Sequence, residues 1–130
     1  MSNETSHTKA GVAAPIKQAH WSDTDGNPAG GAASGVGFHI AWQAGPIGRH
    51  APECVAGECA PGCTRKEPNG AFVEDVLQAV IGRMEYYQQS RFACQENADA
   101  LHYLRMAHGA LEARTARREQ QQVEGTHQGT

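Results

Sequence analysis

Cys54, Cys59 and Cys63 gather three soft sulfur donors into a short segment that Pro52, Gly57, Pro61 and Gly62 keep from any regular pattern. Thiolates suit zinc, and with His50 as a fourth ligand they would organise a loop that has no core of its own. Their CxxxxCxxxC spacing differs from the paired CxxC knuckles of common zinc ribbons, so an incidental thiol-rich insertion is the competing reading. The expectation is therefore no cofactor, with a structural zinc as the alternative. Cys94 stands apart, and in a reducing compartment the four cysteines are expected as thiols or ligands rather than a disulfide framework.

A second constellation is cationic. Arg114, Arg117 and Arg118 fall within little more than one helical turn, with Arg105 further back. Cations near a helix C-terminus complement its dipole, and that accounts for them without any ligand. Guanidinium forks also grip phosphate oxygens bidentately, and Arg114 and Arg118, four apart, share a face. Tyr87 and Asn97 flank the turn before that helix. An aromatic plane beside an amide suits a nucleobase, one stacking and the other reading an edge. The plainer alternative is a last core aromatic and an early-helix polar residue.

The elements that must position these groups are readable from periodicity. Residues 1–35 are rich in Ser, Thr, Gly and Ala and read as a flexible N-terminal arm, although the stretch from Pro15 to Trp21 could add a strand. Val36, Phe38, Ile40 and Trp42 alternate with small or polar residues, the period of a strand with one buried face, and Gly45-Pro46-Ile47-Gly48 turns the chain. Strand and turn thus cover 36–49 and the cysteine loop 50–67. Helix 1 is predicted over 70–89, with Asn69 able to cap it and Glu74 and Asp75 in its first turns. Helix 2 is predicted over 94–121, on a seam of Asn97, Leu101, Leu104, His108, Leu111, Thr115 and Arg118 at steps of four and three. Residues 122–130 form a tail.

So short a connection makes the helices an antiparallel hairpin. Phe72, Val73, Val76, Leu77, Val80, Ile81, Met84 and Tyr87 give helix 1 more apolar surface than alanine-rich helix 2 can cover. The expected fold class is α+β, a short strand or hairpin followed by two antiparallel helices that oligomerise through the helices. Asn97 and Arg114 lie 17 positions apart, about 25 Å along one helix, too far for one small pocket within a chain. Two hairpins packed head to tail would bring the turn of one to the arginine end of the other.

Several function classes are disfavoured. A net charge of −3 gives no global affinity for nucleic-acid polymers or anionic membranes. No apolar run is long enough to span a bilayer, and the start lacks the pattern of a secretory signal, so a soluble, cytosolic protein is expected. No phosphate-cradling glycine loop, Ser-His-Asp order or paired carboxylates can be placed, and His39, His102 and His108 are scattered. Binding outranks catalysis, and no enzyme is expected.

Three blocks carry a family likeness: Gly37-Phe38-His39-Ile40-Ala41-Trp42-Gln43-Ala44-Gly45-Pro46-Ile47-Gly48-Arg49, then Arg65-Lys66-Glu67-Pro68-Asn69-Gly70-Ala71-Phe72-Val73-Glu74, then Glu96-Asn97-Ala98 leading through Arg114-Thr115-Ala116-Arg117-Arg118-Glu119 to Val123-Glu124-Gly125-Thr126-His127. Together they resemble the phage Thoeris anti-defense family, sponge proteins that share a helical hairpin with the phage anti-CBASS sponges. The resemblance spans about 35–127 and departs from the family in the insertion from His50 to Thr64. It implies a non-enzymatic protein, acting in the cytoplasm of the infected bacterial host, that sequesters cyclic ADP-ribose isomers. Some relatives also hold cyclic di- or trinucleotides, and the implied assembly is a homodimer or homohexamer. Tyr87 would correspond to the base-stacking aromatic, Asn97 to the polar contact, and Arg114 and Arg118 to the ligand-binding arginines, with Phe92 and Thr115 as further contacts. The alternative from another class is a small zinc-containing phage regulator that binds DNA or protein; a nucleotide hydrolase is the third reading.

Overall fold

The computed structural model describes residues 15–48, 51, 53–55 and 58–121. The chain divides into two compact units, Met1–Ala71 and Phe72–Thr130. The fold is α+β: three antiparallel strands followed by two helices. Residues 1–14, His50 and the tail from 122 lie outside the described residues.

The first unit is a meander of β1 (Lys17–Ser22), β2 (Pro28–Gly35) and β3 (Phe38–Trp42), in that spatial order. β1 falls where the stretch from Pro15 to Trp21 could add a strand, whereas β2 corrects the expectation of a flexible arm up to residue 35. Asp23 organises the first turn: its Oδ1 accepts from the amides of Asp25 and Asn27, each at 2.9 Å, and Gly26 supplies a φ of +84°. Val36 and Gly37 make the second turn, so the alternation expected from Val36 begins as a strand only at Phe38. Ile40 and Trp42 are half-buried, as that alternation predicts, whereas Phe38 remains exposed.

β2 escapes a hydropathy reading because its residues are small for a packing reason. A Cβ on Gly30 would lie 3.1 Å from the Trp21 ring, and one on Gly31 would lie 2.6 Å from the Ala19 carbonyl oxygen. The central strand is bare so that its neighbours and their aromatic rings can approach the backbone. Ala33, paired with both Gln18 and Ile40, is the buried apolar side chain of the sheet.

After β3 the chain leaves the sheet and then returns to it. Ala71 donates to the Ala41 carbonyl at 2.7 Å and accepts from the Gln43 amide at 2.9 Å, extending the sheet by one parallel bridge. Gln43 Oε1 accepts from the amides of Asn69 (2.8 Å) and Gly70 (3.2 Å), and Asn69 Oδ1 accepts from the Ala44 amide at 3.0 Å. Asn69 was expected to cap helix 1. It is committed to this clasp instead, and α1 starts later, at Val73, behind Phe72 in an extended conformation without a side-chain cap.

The second unit is a hairpin of α1 (Val73–Gln88) and α2 (Gln95–Gln120). Gln88 brackets Cys94 across the turn, accepting from its amide at 3.0 Å and donating to its carbonyl at 3.2 Å. Further from the turn, Arg105 Nη2 meets Glu85 Oε2 at 2.6 Å. Contacts whose sequence separation grows away from the turn make the pair antiparallel. Every residue of the expected α2 seam, from Asn97 to Arg118, is buried or half-buried. Among the described residues no helix is long and apolar enough to cross a membrane.

Candidate functional site

The hairpin turn collects three of the expected binding residues. Ser90 Oγ donates to the Tyr87 carbonyl at 2.6 Å and accepts from the Phe92 amide at 3.1 Å, while Asn97 Nδ2 donates to the Phe92 carbonyl at 3.3 Å. Tyr87, Phe92 and Asn97 are thereby tied into one turn by side-chain to backbone bonds. Phe92 is exposed and Tyr87 borders on it, at 64% and 37% of their surface. One face of the Phe92 ring carries the Arg91 guanidinium, whose carbon lies 4.7 Å from the ring centroid.

Arg83 belongs to the same end and was missed in the sequence reading. Its guanidinium carbon lies 5.2 Å from the Tyr86 ring centroid and 5.1 Å from that of Tyr87, and its Nε donates to the Tyr87 hydroxyl at 3.3 Å. That bond to the Tyr87 hydroxyl raises the Arg83 pKa above its ordinary value, and the guanidinium is charged in any case. The signal was present in the sequence as Arg, Tyr and Tyr at steps of three and four, which stack a cation on aromatic faces along one helix side. The turn therefore offers positive charge as well as aromatic planes and an amide.

Arg114, Thr115 and Arg118 are not brought to that turn. They lie near the other end of α2, an uninterrupted helix along which Asn97 and Arg114 remain about 25 Å apart. Arg114 is exposed, whereas Arg118 is 6% exposed. The two are four residues apart, yet their surroundings differ because Arg118 continues the seam through Leu111 and Thr115 and Arg114 lies beside it. Arg117 and Arg118 fall in the last turn, where the helix dipole favours cations.

A separate constellation sits in the first unit. The sulfurs of Cys54, Cys59 and Cys63 all lie within 4.8 Å of one another. Two turns build the cluster: the Cys54 amide donates to the Ala51 carbonyl at 3.0 Å, and the Cys63 amide to the Ala60 carbonyl at 3.1 Å. Each turn starts on an alanine and ends on a cysteine, and each alanine amide donates to the other turn's sulfur. Ala60 reaches Cys54 Sγ at 3.2 Å and Ala51 reaches Cys63 Sγ at 3.5 Å. The sequence signal for this reciprocity is a doubled motif, Ala51-Pro52-Glu53-Cys54 and Ala60-Pro61-Gly62-Cys63, which the CxxxxCxxxC spacing obscured. Cys59 completes the triad. Its thiol is pushed up to about 11, first by a hydrogen bond with Cys63, because neighbouring sulfurs resist a further negative charge. His50, the suggested fourth ligand, lies outside the described residues.

No known family profile matches the sequence. Over 65 residues, however, it is 48% identical to Thoeris anti-defense 1 of Bacillus phage SBSphiJ7. The matched stretch covers 50% of this chain and 46% of that protein, so the chain spans about half the length of the relative it matches. Across that half of its length the chain is thus similar to a Thoeris anti-defense protein.

Proposed function

We propose that this chain is a viral anti-defence protein that binds and sequesters cyclic nucleotide immune signals without degrading them. The observation that carries the reading is its 48% identity to a protein named Thoeris anti-defense 1. The ligands are cyclic ADP-ribose isomers, with cyclic di- or trinucleotides of CBASS as a further class. Capture takes place in the cytoplasm of the infected bacterium.

The hairpin turn supports that chemistry. Tyr87 and Phe92 provide planes for a base, the Asn97 amide reads a polar edge, and Arg114 and Arg118 bind phosphate, with Thr115 beside them. Because one helix holds the two groups about 25 Å apart, the pocket is completed by a second copy lying head to tail. Apolar surface favours such an assembly: Val73, Val80, Tyr103 and Met106 are exposed on the hairpin at 50%, 42%, 68% and 60%. A homodimer is the smallest assembly that forms the pocket, and a homohexamer would repeat it. Enclosure between copies also excludes water, which strengthens the charge-assisted bonds to phosphate.

The test is titration calorimetry with cyclic ADP-ribose isomers, followed by heating of the complex. Asn97→Ala and Arg114→Ala abolish capture while helicity is retained, and heat releases the ligand chemically unchanged. Undiminished affinity in both variants overturns the site. A linear product after heating would instead reveal a hydrolase, and salt-sensitive retardation of DNA without cyclic-nucleotide binding would reveal a regulator.

A further inference from the structure

The cysteine loop carries a second inference, independent of the reading above. We infer that Cys54, Cys59 and Cys63 form a thiolate site for one zinc ion, which fastens the loop they lie in.

Three geometric observations carry it. Zn–S bonds of about 2.3 Å place tetrahedral sulfurs about 3.8 Å apart. The three sulfurs already lie within 4.8 Å of one another, so small rotations of the side chains seat an ion between them. The doubled Ala-Pro-x-Cys turns aim two of these sulfurs inward. Each of the two also accepts a backbone amide, from Ala60 at 3.2 Å and from Ala51 at 3.5 Å. Amides directed at sulfur are the outer-shell support that a metal thiolate uses to disperse its charge. The pattern is reciprocal, each turn supporting the other's ligand, which an incidental gathering of thiols does not require.

Donor chemistry selects the ion. An all-sulfur set disfavours magnesium and calcium, which take oxygen ligands, and suits zinc. Three thiolates leave one tetrahedral position for a neutral donor. None of the three cysteines is in a disulfide. Val55 in this loop is 64% exposed, and an ion held by the three sulfurs restrains the segment without a core of its own.

The probes are zinc and cobalt(II) added to the untagged full chain. Elemental analysis should find one zinc per chain, in wild type and in Cys94→Ser alike. Replacement by cobalt should give sulfur-to-metal charge-transfer absorption with the intense visible bands of a tetrahedral site. The variant carrying Cys54→Ser, Cys59→Ser and Cys63→Ser together should lose both signals while its helical circular dichroism persists. Should that variant not fold, alkylation of the wild type decides: zinc should protect the three loop thiols and leave Cys94 reactive. Cobalt bound without charge-transfer bands overturns the inference, as does equal reactivity of all four thiols with and without zinc.

Discussion

The two units each bury a single apolar side chain among the described residues, Ala33 in the sheet and Leu101 in the hairpin, yet they hold their shapes by different means. The sheet unit relies on close backbone approach and on side chains that bond to the main chain, such as Asp23 in its first turn and Gln43 in the clasp on Asn69 and Gly70. The hairpin relies on an apolar seam between two helices, with few polar links across it. The contrast teaches that a low-hydropathy segment can be ordered when its residues are small enough for hydrogen-bonding partners to come near. The hairpin shows the converse, since strong periodicity gives well-formed helices whose apolar surface stays largely uncovered.

The comparison can be broken by substitutions directed at each mode. The largest effect is expected from Leu101→Ala, which should cost about 2 to 4 kcal/mol in the hairpin through lost burial and a residual cavity. Thermal melting followed by helical circular dichroism checks it, and a loss well below that range would mean that the seam does not hold the hairpin. Next in size is Gly31→Ala. Its added Cβ would meet the Ala19 carbonyl oxygen at 2.6 Å, a backbone atom that cannot rotate away. A cost of about 1 to 3 kcal/mol is expected, with amide exchange faster in β1 and β2 and unchanged in α1 and α2. The smallest effect belongs to Glu85→Ala, which removes the ion pair with Arg105. Both partners are about half exposed, so the loss should be roughly 0.2 to 1 kcal/mol and should shrink further in high salt.

What the sequence disclosed follows the same division. Both helices and the seam from Asn97 to Arg118 were readable, because a period of steps of four and three records which face is covered. β1 was legible only as a stretch from Pro15 to Trp21 that could add a strand, and β2 was hidden, for opposite reasons. Lys17, Gln18 and His20 look polar because β1 is exposed along its whole length, and Gly30, Gly31, Ala32 and Ala33 look featureless because β2 is the crowded strand. Asn69 has the residue type and position of a helix cap, and only the return of the chain to β3 shows that Ala44 claims its side chain first. At the candidate binding end, Tyr87, Phe92 and Asn97 were identifiable individually, whereas the hydrogen bonds through Ser90 that join them were not. Arg83 went unnoticed because a cation inside an apolar stripe reads as an interruption until its aromatic neighbours are seen beneath it. The different burial of Arg114 and Arg118 was likewise invisible to a rule that two residues four apart share a face.

The segment that carries the cysteines stands on a base that is already closed. The Lys66 amide donates to the Ile47 carbonyl at 2.7 Å, and a Cβ on Gly48 would lie 3.6 Å from the Arg65 Cα. The chain therefore steps out and comes back to nearly the same point, like a side branch grafted onto a finished trunk. Lengthening such a branch is inexpensive, since each doubling of a flexible loop adds only about 0.6 kcal/mol of closure entropy. A change of length between residues 48 and 65 therefore leaves the base of the branch, and the register of β3 beside it, in place.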